Sequence, residues 1–162
     1  MSTRANVVLR ENWGDGKAEI WLYHHGDGYP EGMMPMLQYF INYMRRGEIR
    51  NNVEQSAGWL VLWGAKEQAS YVGGYDRKKG KLLVRKNLFE PGSKSNGYGW
   101  KATAYEPSFG RHGDIEYLYV IDCDEMTITC YKTPDGDDPS RDEKLFVDTP
   151  ENPWRSEKES QE

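Results

Sequence analysis

The residue types that could bind or react gather in two glycine-rich segments, which together hold all three histidines of the chain. The first segment is residues 24–32, with the sequence HHGDGYPEG, and the second runs from residue 97 to residue 114. Loops on a rigid scaffold usually carry the groups that bind ligands and partners. We therefore predict one binding site formed by His24, His25, Asp27, Tyr29, Glu31, Tyr98, Trp100, Arg111, His112 and Asp114.

The charge of the ligand would decide which of these residues matter most. Arg111 and the histidines favour an anionic ligand, whereas Asp27 and Asp114 favour a basic partner. Aromatic rings among glycines, such as Tyr98 and Trp100, can form a stacking platform for a base, although core rings have the same pattern. The polar residues can alternatively cap strands and pin the loops, because buried polar groups usually have structural partners.

Histidine and carboxylate side chains are also the ligands that divalent metal ions prefer. His112, Asp114 and Glu116 share one face if their segment is extended. This pattern leaves a metal-dependent hydrolase as the alternative function. Neither histidine spacing matches a known zinc signature, so we predict no metal site and no cofactor.

The sequence contains no recognisable nucleophile motif. Ser56, Ser108, Cys123 and Cys130 lack both an elbow sequence and a well-placed base. We therefore predict no catalytic residue, and a binding protein is favoured over an enzyme. Six cations between Arg77 and Lys86 are typical of a solvated hairpin turn, with an anion-binding edge as the alternative.

Two helices and several strands must position these segments. Apolar patterns separated by turn residues predict a hairpin over residues 5–10 and 19–23. Apolar residues recur with helical spacing from Met33 to Met44, and a second helix is expected from Val53 to about Gln68. Further strands are predicted over residues 81–86, 100–106, 115–122, 127–132 and 144–147. This order predicts an α+β fold, an antiparallel sheet with two helices packed on one face.

Length and charge indicate how the chain is organised. Its 162 residues suit one domain, and an aromatic content of 13% argues against wholesale disorder. Residues 133–162 hold ten acidic and four basic side chains, whereas the remainder of the chain is nearly neutral. We predict a single domain over residues 1–148 and an acidic, flexible tail over residues 149–162. A neutral body argues against binding to duplex nucleic acid.

The sequence also bears on the compartment. The longest apolar run is far shorter than the roughly 20 residues of a membrane span, and the chain opens without a charged and apolar leader. Cys123 and Cys130 are too few for a disulfide scaffold. We therefore expect a cytoplasmic protein with free thiols and no membrane association.

Several segments of the chain resemble a group of small proteins of bacteriophages and prophages. They are MSTRANVV, HHGDGYPEG with the helix after it, SAGWLVLWGA, and AYEPSFGRHGDIEYLYVID, and together they span much of residues 1–132. DGYPEG combined with HGDIEYLY is the most specific part of this resemblance. The resemblance implies a context, an accessory protein of a mobile element in a bacterial cytosol. Such proteins commonly bind and block host factors, including defence components.

These observations together predict a non-catalytic binding protein that counters a host bacterial function. Its partner would be a host bacterial protein that it blocks or a small nucleotide-like signal that it sequesters. A homo-oligomer is compatible with the same sequence features.

Overall fold

The computed structural model of the chain describes residues 3–71, 75–76, 81–82 and 105–157. Its helices are α1 Pro30–Arg45 and α2 Val53–Tyr71. The strands are β1 Ala5–Trp13, β2 Gly16–His24, β3 Tyr75–Asp76, β4 Lys81–Leu82, β5 Glu106–Ser108, β6 Tyr117–Asp122, β7 Thr127–Lys132 and β8 Glu143–Asp148. The predicted α+β class is confirmed, with an N-terminal hairpin, two helices and then a run of strands.

The first two strands form the predicted hairpin, which is longer than the sequence pattern indicated. β1 and β2 pair over their whole length, from Ala5 opposite His24 to Trp13 opposite Gly16. Gly14 lies in the connecting turn with φ +52°, a conformation that favours a residue without a Cβ atom. The hairpin ends where the first glycine-rich segment begins.

Six strands form one sheet in the order β5-β2-β1-β6-β7-β8. Neighbouring strands are antiparallel except β1 and β6, which run parallel with Ala5 opposite Tyr117. This parallel pair departs from the predicted antiparallel sheet. Side-chain alternation identifies a strand but says nothing about the direction of its partner. β3 and β4 pair separately as a two-stranded ribbon.

The two helices pack against one face of this sheet. α1 buries an apolar stripe that consists of Met33, Met34, Leu37, Phe40, Ile41 and Met44. These side chains form one core cluster with Leu60 of α2 and with inward residues of the strands, such as Val7, Leu22 and Tyr119. Each fully buried side chain of this size contributes about 1.5–3 kcal/mol to folding, so this layer is the main source of stability.

The opposite face of the sheet carries a smaller apolar cluster of Val8, Tyr23, Ile115 and Leu118. The segment between β5 and β6, residues 109–116, covers one end of this face, because the His112 ring lies against Tyr23. Residues 109–114 of the second glycine-rich segment therefore lie on the sheet face opposite the helices.

The segment from the end of β8 to Trp154 folds back onto the body. Trp154 packs beside Phe146 with ring centres 5.9 Å apart, and its backbone N–H donates to Asp148 Oδ2 at 2.7 Å. Gln38 of α1 donates to the Trp154 carbonyl at 2.8 Å. The first part of the segment predicted as a flexible tail therefore contacts both α1 and β8, and residues 158–162 lie outside the described residues.

Parts of several predicted elements lie outside the described residues. The structure describes Lys81–Leu82 of the strand predicted over residues 81–86, and residues 105–106 of the strand predicted over residues 100–106. Most of the cationic run from Arg77 to Lys86 lies outside them as well. Within the described ranges, neither helix has the length and apolar character needed to cross a lipid bilayer.

Candidate functional site

Tyr23 is the centre of a polar cluster that joins the two predicted segments. Its ring stacks on the His112 imidazole, with centres 4.0 Å apart and planes 13° from parallel. Its hydroxyl donates to Asp114 Oδ2 at 3.2 Å and lies 3.3 Å from His25 Nδ1. The structure therefore brings together His25, His112 and Asp114, three of the predicted site residues, and these with Tyr23 form the Tyr23 cluster.

A buried asparagine fixes the second segment to the sheet. Asn6 lies opposite Tyr23 in the β1–β2 ladder and is fully buried. Its Nδ2 donates to the Leu22 carbonyl at 2.8 Å, and its Oδ1 accepts the backbone N–H of His112 at 2.8 Å. Because both ends of the amide are satisfied inside the protein, removing it would leave buried groups unpaired. Asn6 thus holds His112 over Tyr23.

Burial and a neighbouring carboxylate keep Tyr23 protonated. Burial is the larger cause and Asp114 the next, and together they raise the pKa of Tyr23 to about 12. Arg4 opposes this shift, and its Nε lies 3.5 Å from Asp114 Oδ2. Tyr23 therefore remains a hydrogen-bond donor to Asp114 throughout the neutral pH range.

Ser108 lies at the edge of the Tyr23 cluster and has a base within reach. Its Oγ is 2.9 Å from His112 Nε2, and Asp114 Oδ1 lies 3.9 Å from the other ring nitrogen, Nδ1. The Ser108 hydroxyl also donates to the Gly110 carbonyl at 2.7 Å. The sequence interpretation that Ser108 lacks a well-placed base was wrong, because the turn at Gly110 returns His112 to it.

Arg111, expected to meet an anionic ligand, is bonded within the protein. Two of its nitrogens each donate to a carboxylate oxygen of Asp142 at 2.7 Å, and its Nε donates to the Gly136 carbonyl at 2.5 Å. The hydrogen bonds that the guanidinium donates to Asp142 are the main reason why the pKa of Arg111 is raised. A Cβ atom on Gly136 would collide with the backbone of Gly113, so the two loops touch directly. Arg111 therefore clamps the second segment to the chain that precedes β8.

The adjacent histidines of the first segment lie on opposite sides of the sheet. His24 is buried, and its ring centre is 4.8 Å from that of Tyr105, whereas His25 faces Tyr23. Alternation along the strand explains this separation, so His25, and not His24, joins the Tyr23 cluster. Exposed positions in the following loop and the first turn of α1 are occupied by Asp27, Tyr29 and Glu31.

The aromatic residues of the second segment have different environments. Tyr98 and Trp100 lie outside the described residues. Tyr105 is buried in the core next to His24, whereas Phe109 is fully exposed at the apex of the turn between Ser108 and Gly110. Sequence pattern alone does not separate these two rings, since both stand in the same glycine-rich stretch.

Sequence reasoning missed three residues of this site, namely Asn6, Tyr23 and Ser108. A signal existed for Tyr23, because strand alternation places it on the same side of β2 as His25. Asn6 stands in an apolar run that predicts a strand, and its polar side chain was the indication of a buried structural bond.

The metal-ligand set considered from the sequence does not converge in the described part of the chain. Among residues 3–71, 75–76, 81–82 and 105–157, no group of three or more His, Cys, Asp or Glu side chains is placed to hold a metal ion. His24 and His25 point apart, which removes one pair from that set. The metal-dependent hydrolase therefore stays a prediction without a described ligand set.

Comparison with protein-family models, with curated proteins and with solved structures finds no match for this chain. The function is therefore inferred from the chemistry of the site.

Proposed function

We propose that this protein binds and blocks a bacterial host protein, with Phe109 as the apolar anchor of its binding surface. A fully exposed aromatic ring on a loop fixed by several hydrogen bonds is the observation that carries the proposal. The resemblance to phage and prophage proteins supplies the context, an accessory protein that counters a host function, such as defence, in the bacterial cytosol.

The bonds on both sides of Phe109 distinguish it from an ordinary exposed residue. Single exposed apolar side chains are common on protein surfaces and need no explanation. Here, however, the Ser108 hydroxyl donates to the Gly110 carbonyl at 2.7 Å and accepts the Gly110 N–H at 3.4 Å. These two bonds fix the backbone turn at Phe109. His112 and Arg111 then tie the following residues to β1 and to the chain before β8.

A loop that is already ordered binds with less entropic cost than a mobile one. Immobilising a side chain at an interface costs about 0.5–1.5 kcal/mol, and a phenylalanine loses little because it has two side-chain torsions. Aromatic anchors that fill a pocket on the partner are typical hot spots, and truncating one costs about 2 kcal/mol or more. Phe109 has the properties of such an anchor, since it is apolar and exposed on a fixed backbone.

The same geometry favours a protein partner over the nucleotide-like ligand that the sequence also predicted. The guanidinium of Arg111, the expected contact of an anion, is bonded to Asp142 and Gly136. The Tyr23 cluster also contains the carboxylate of Asp114, which repels a phosphate group. Sequestration of a small nucleotide-like signal is therefore the second candidate.

A capture experiment with a matched control tests the anchor. Tagged wild-type, Phe109→Ala and Trp13→Ala proteins would be used to purify bound proteins and small molecules from bacterial lysate for mass spectrometry. Trp13 is the control because it is another exposed aromatic residue, 59% exposed at the tip of the β1–β2 hairpin. We expect one host protein to be enriched by the wild type and by Trp13→Ala, and to be reduced roughly tenfold or more with Phe109→Ala.

All three proteins should melt within about 2 °C of one another, because exposed side chains contribute little to stability. Equal recovery of the host protein by Phe109→Ala, or its loss from both variants, would contradict the anchor. A nucleotide-like molecule that co-purifies with all three proteins, without an enriched host protein, would support the second candidate instead.

A further inference from the structure

We propose that Ser108 is a nucleophile that accepts the acyl group of a short, activated ester, with His112 as its base and Asp114 as the carboxylate that positions the base. This inference goes beyond binding, since it assigns a reaction to the loop. It stands on the geometry of three side chains within seven residues of chain.

Each ring nitrogen of His112 faces the group that nucleophilic catalysis requires. A base must face the serine with one nitrogen and a carboxylate with the other, so that it can take the serine proton while its second N–H is held. His112 Nε2 lies 2.9 Å from Ser108 Oγ, and His112 Nδ1 lies 3.9 Å from Asp114 Oδ1. The second distance lies within the range of an ion pair with the imidazolium that forms when His112 takes the serine proton.

The surroundings hold the imidazole in this orientation. Tyr23 stacks on the His112 ring, and Asn6 binds the His112 backbone N–H. The Tyr23 hydroxyl donates to Asp114 Oδ2, which leaves Oδ1 directed at the imidazole. Tyr23 and Asn6 are therefore positioning residues, and they act on the base rather than on the substrate.

The resting hydrogen bond of Ser108 is compatible with this role. Its hydroxyl donates to the Gly110 carbonyl at 2.7 Å, and rotation about its Cβ–Oγ bond redirects that donation to His112 Nε2, 2.9 Å from the same oxygen. The Gly110 N–H donates to the same Ser108 oxygen at 3.4 Å, which leaves the hydroxyl hydrogen free to turn toward the imidazole.

The reaction balances without any further reagent than water. Ser108 Oγ forms a bond to the ester carbonyl carbon while its proton passes to His112 Nε2. The bond between that carbon and the leaving oxygen then breaks, and His112 returns the proton to the departing alcohol. Water attacks the acyl-serine, gives its proton to His112, and the carboxylic acid leaves as Ser108 Oγ regains the proton.

Ser108 is more accessible to solvent than Ser56, Cys123 and Cys130, the other candidate nucleophiles. The His112 and Asp114 side chains are 41% and 46% exposed, so a small ester reaches the site from solvent. Cys123 and Cys130 are buried, and burial raises the pKa of each thiol to about 12, which keeps them protonated and unreactive. Ser56 is also buried, and it donates to the Arg50 carbonyl at 3.0 Å.

A fluorophosphonate probe tests the nucleophile, because it phosphonylates serines that have an active base. The wild-type protein would be labelled and the modified peptide identified by mass spectrometry, alongside Ser108→Ala, His112→Gln and Ser140→Ala. Ser140 is the control because it is an exposed serine whose hydroxyl bonds to Asp138 rather than to a histidine. We expect the label on Ser108 of the wild type and of Ser140→Ala, and none on Ser108→Ala.

His112→Gln separates catalysis from loop structure. A glutamine amide can hydrogen-bond to Ser108 in place of Nε2, but it cannot take a proton, so the labelling rate should fall about 100-fold or more at an unchanged melting temperature. If His112→Gln does not fold, Asp114→Asn should lower the labelling rate roughly tenfold and shift its dependence on pH. A folded wild type that stays unlabelled at Ser108, or labelling unaffected by these variants, would overturn the proposal.

Hydrolysis of p-nitrophenyl acetate gives a second readout. We expect release of p-nitrophenol by the wild type and by Ser140→Ala, and the background rate with Ser108→Ala. Equal release by Ser108→Ala would show that another group reacts with the ester, and it would overturn the assignment to Ser108.

Discussion

Two arginine–aspartate ion pairs of this protein have the same chemistry but connect different parts of the structure. Arg45 of α1 bonds Asp148 at 2.9 Å, and Arg111 bonds Asp142 at 2.7 Å. The two arginine side chains are 13% and 14% exposed, so their burial is nearly equal. The first pair joins a helix to the end of the sheet, whereas the second joins one loop to another.

The partners of each aspartate explain the difference between the pairs. Asp148 is fully buried and also accepts from Gln38 Nε2 at 2.9 Å and from the Trp154 backbone N–H at 2.7 Å. The guanidinium of Arg111 instead reaches the carbonyls of Gly136 and Asp135 in a surface loop. The burial of an ion pair therefore does not reveal its role. The role follows from the elements that the pair connects. We expect the first pair to govern stability and the second to govern the loop that carries Phe109.

The largest effect on stability should come from Asp148→Ala. This substitution removes the acceptor of three donors and leaves the buried Arg45 charge without its partner, which typically costs about 3–5 kcal/mol. The measurement is urea unfolding followed by circular dichroism. The control is Glu48→Ala, which removes an exposed pair with Arg46 and should cost less than about 1 kcal/mol. Equal losses for the two variants would show that the buried pair does not secure α1.

A smaller effect on stability is expected from Asp142→Ala, about 1.5–3 kcal/mol, because it removes hydrogen bonds to a charged group while the carbonyl partners of Arg111 remain. Its main consequence should be local. Hydrogen exchange of residues 109–116 should become faster, while exchange in α1 stays near that of the wild type. Faster exchange throughout α1 would mean that the second pair also supports the core, and the distinction between the pairs would fail.

The last effect on stability is confined to alkaline pH. It concerns Tyr23, which lies under the loop of residues 109–116. The pKa of Tyr23 is about 12 in the folded protein, against an ordinary value of 10.0, mainly because of burial. The stability that this shift provides is complete below about pH 10 and is lost as the pH rises toward 12, since the unfolded chain ionises first. Tyr23→Phe should therefore flatten the fall of unfolding free energy between pH 10 and 12 by up to about 2 kcal/mol.

The difference in tyrosinate absorbance between the wild type and Tyr23→Phe gives the same pKa directly. A difference curve with its midpoint near pH 12 would agree with the buried, carboxylate-bonded hydroxyl. A midpoint near pH 10 would show that the hydroxyl is open to solvent, and that the loop does not cover this end of the sheet in solution.

Local patterns predicted most of the elements of the fold. Apolar spacing from Met33 to Met44 lies within α1, and the strand predicted over residues 127–132 coincides with β7. These elements follow from neighbours along the chain, which alternation and helical spacing report directly. The parallel pairing of β1 with β6 could not be predicted, since it depends on contacts between residues that are far apart in sequence.

The arrangement of the candidate site residues was predicted only in part, because it also depends on contacts between residues that are distant in sequence. His25, His112 and Asp114 were expected to meet, and they do so around Tyr23. The bond of Arg111 to Asp142 spans 31 residues, so no local pattern indicates that this guanidinium is occupied. The base of Ser108 was missed for another reason. Residues four apart in sequence contact each other regularly in a helix. Ser108 and His112 lie outside any helix, and an irregular turn brings them together, so their spacing did not predict the contact.

The parallel pairing of β1 with β6 also sets a time order during synthesis of the protein. Ala5 pairs with Tyr117, so the ribosome must add 112 residues after Ala5 before this pairing can begin. At about 5–20 residues per second, that interval lasts roughly 6–22 s. Meanwhile one edge of the nascent hairpin presents unpaired N–H and C=O groups, which can pair with a strand of another chain. Slower translation lengthens this exposure, and with it the time in which a strand of another chain can pair with that edge.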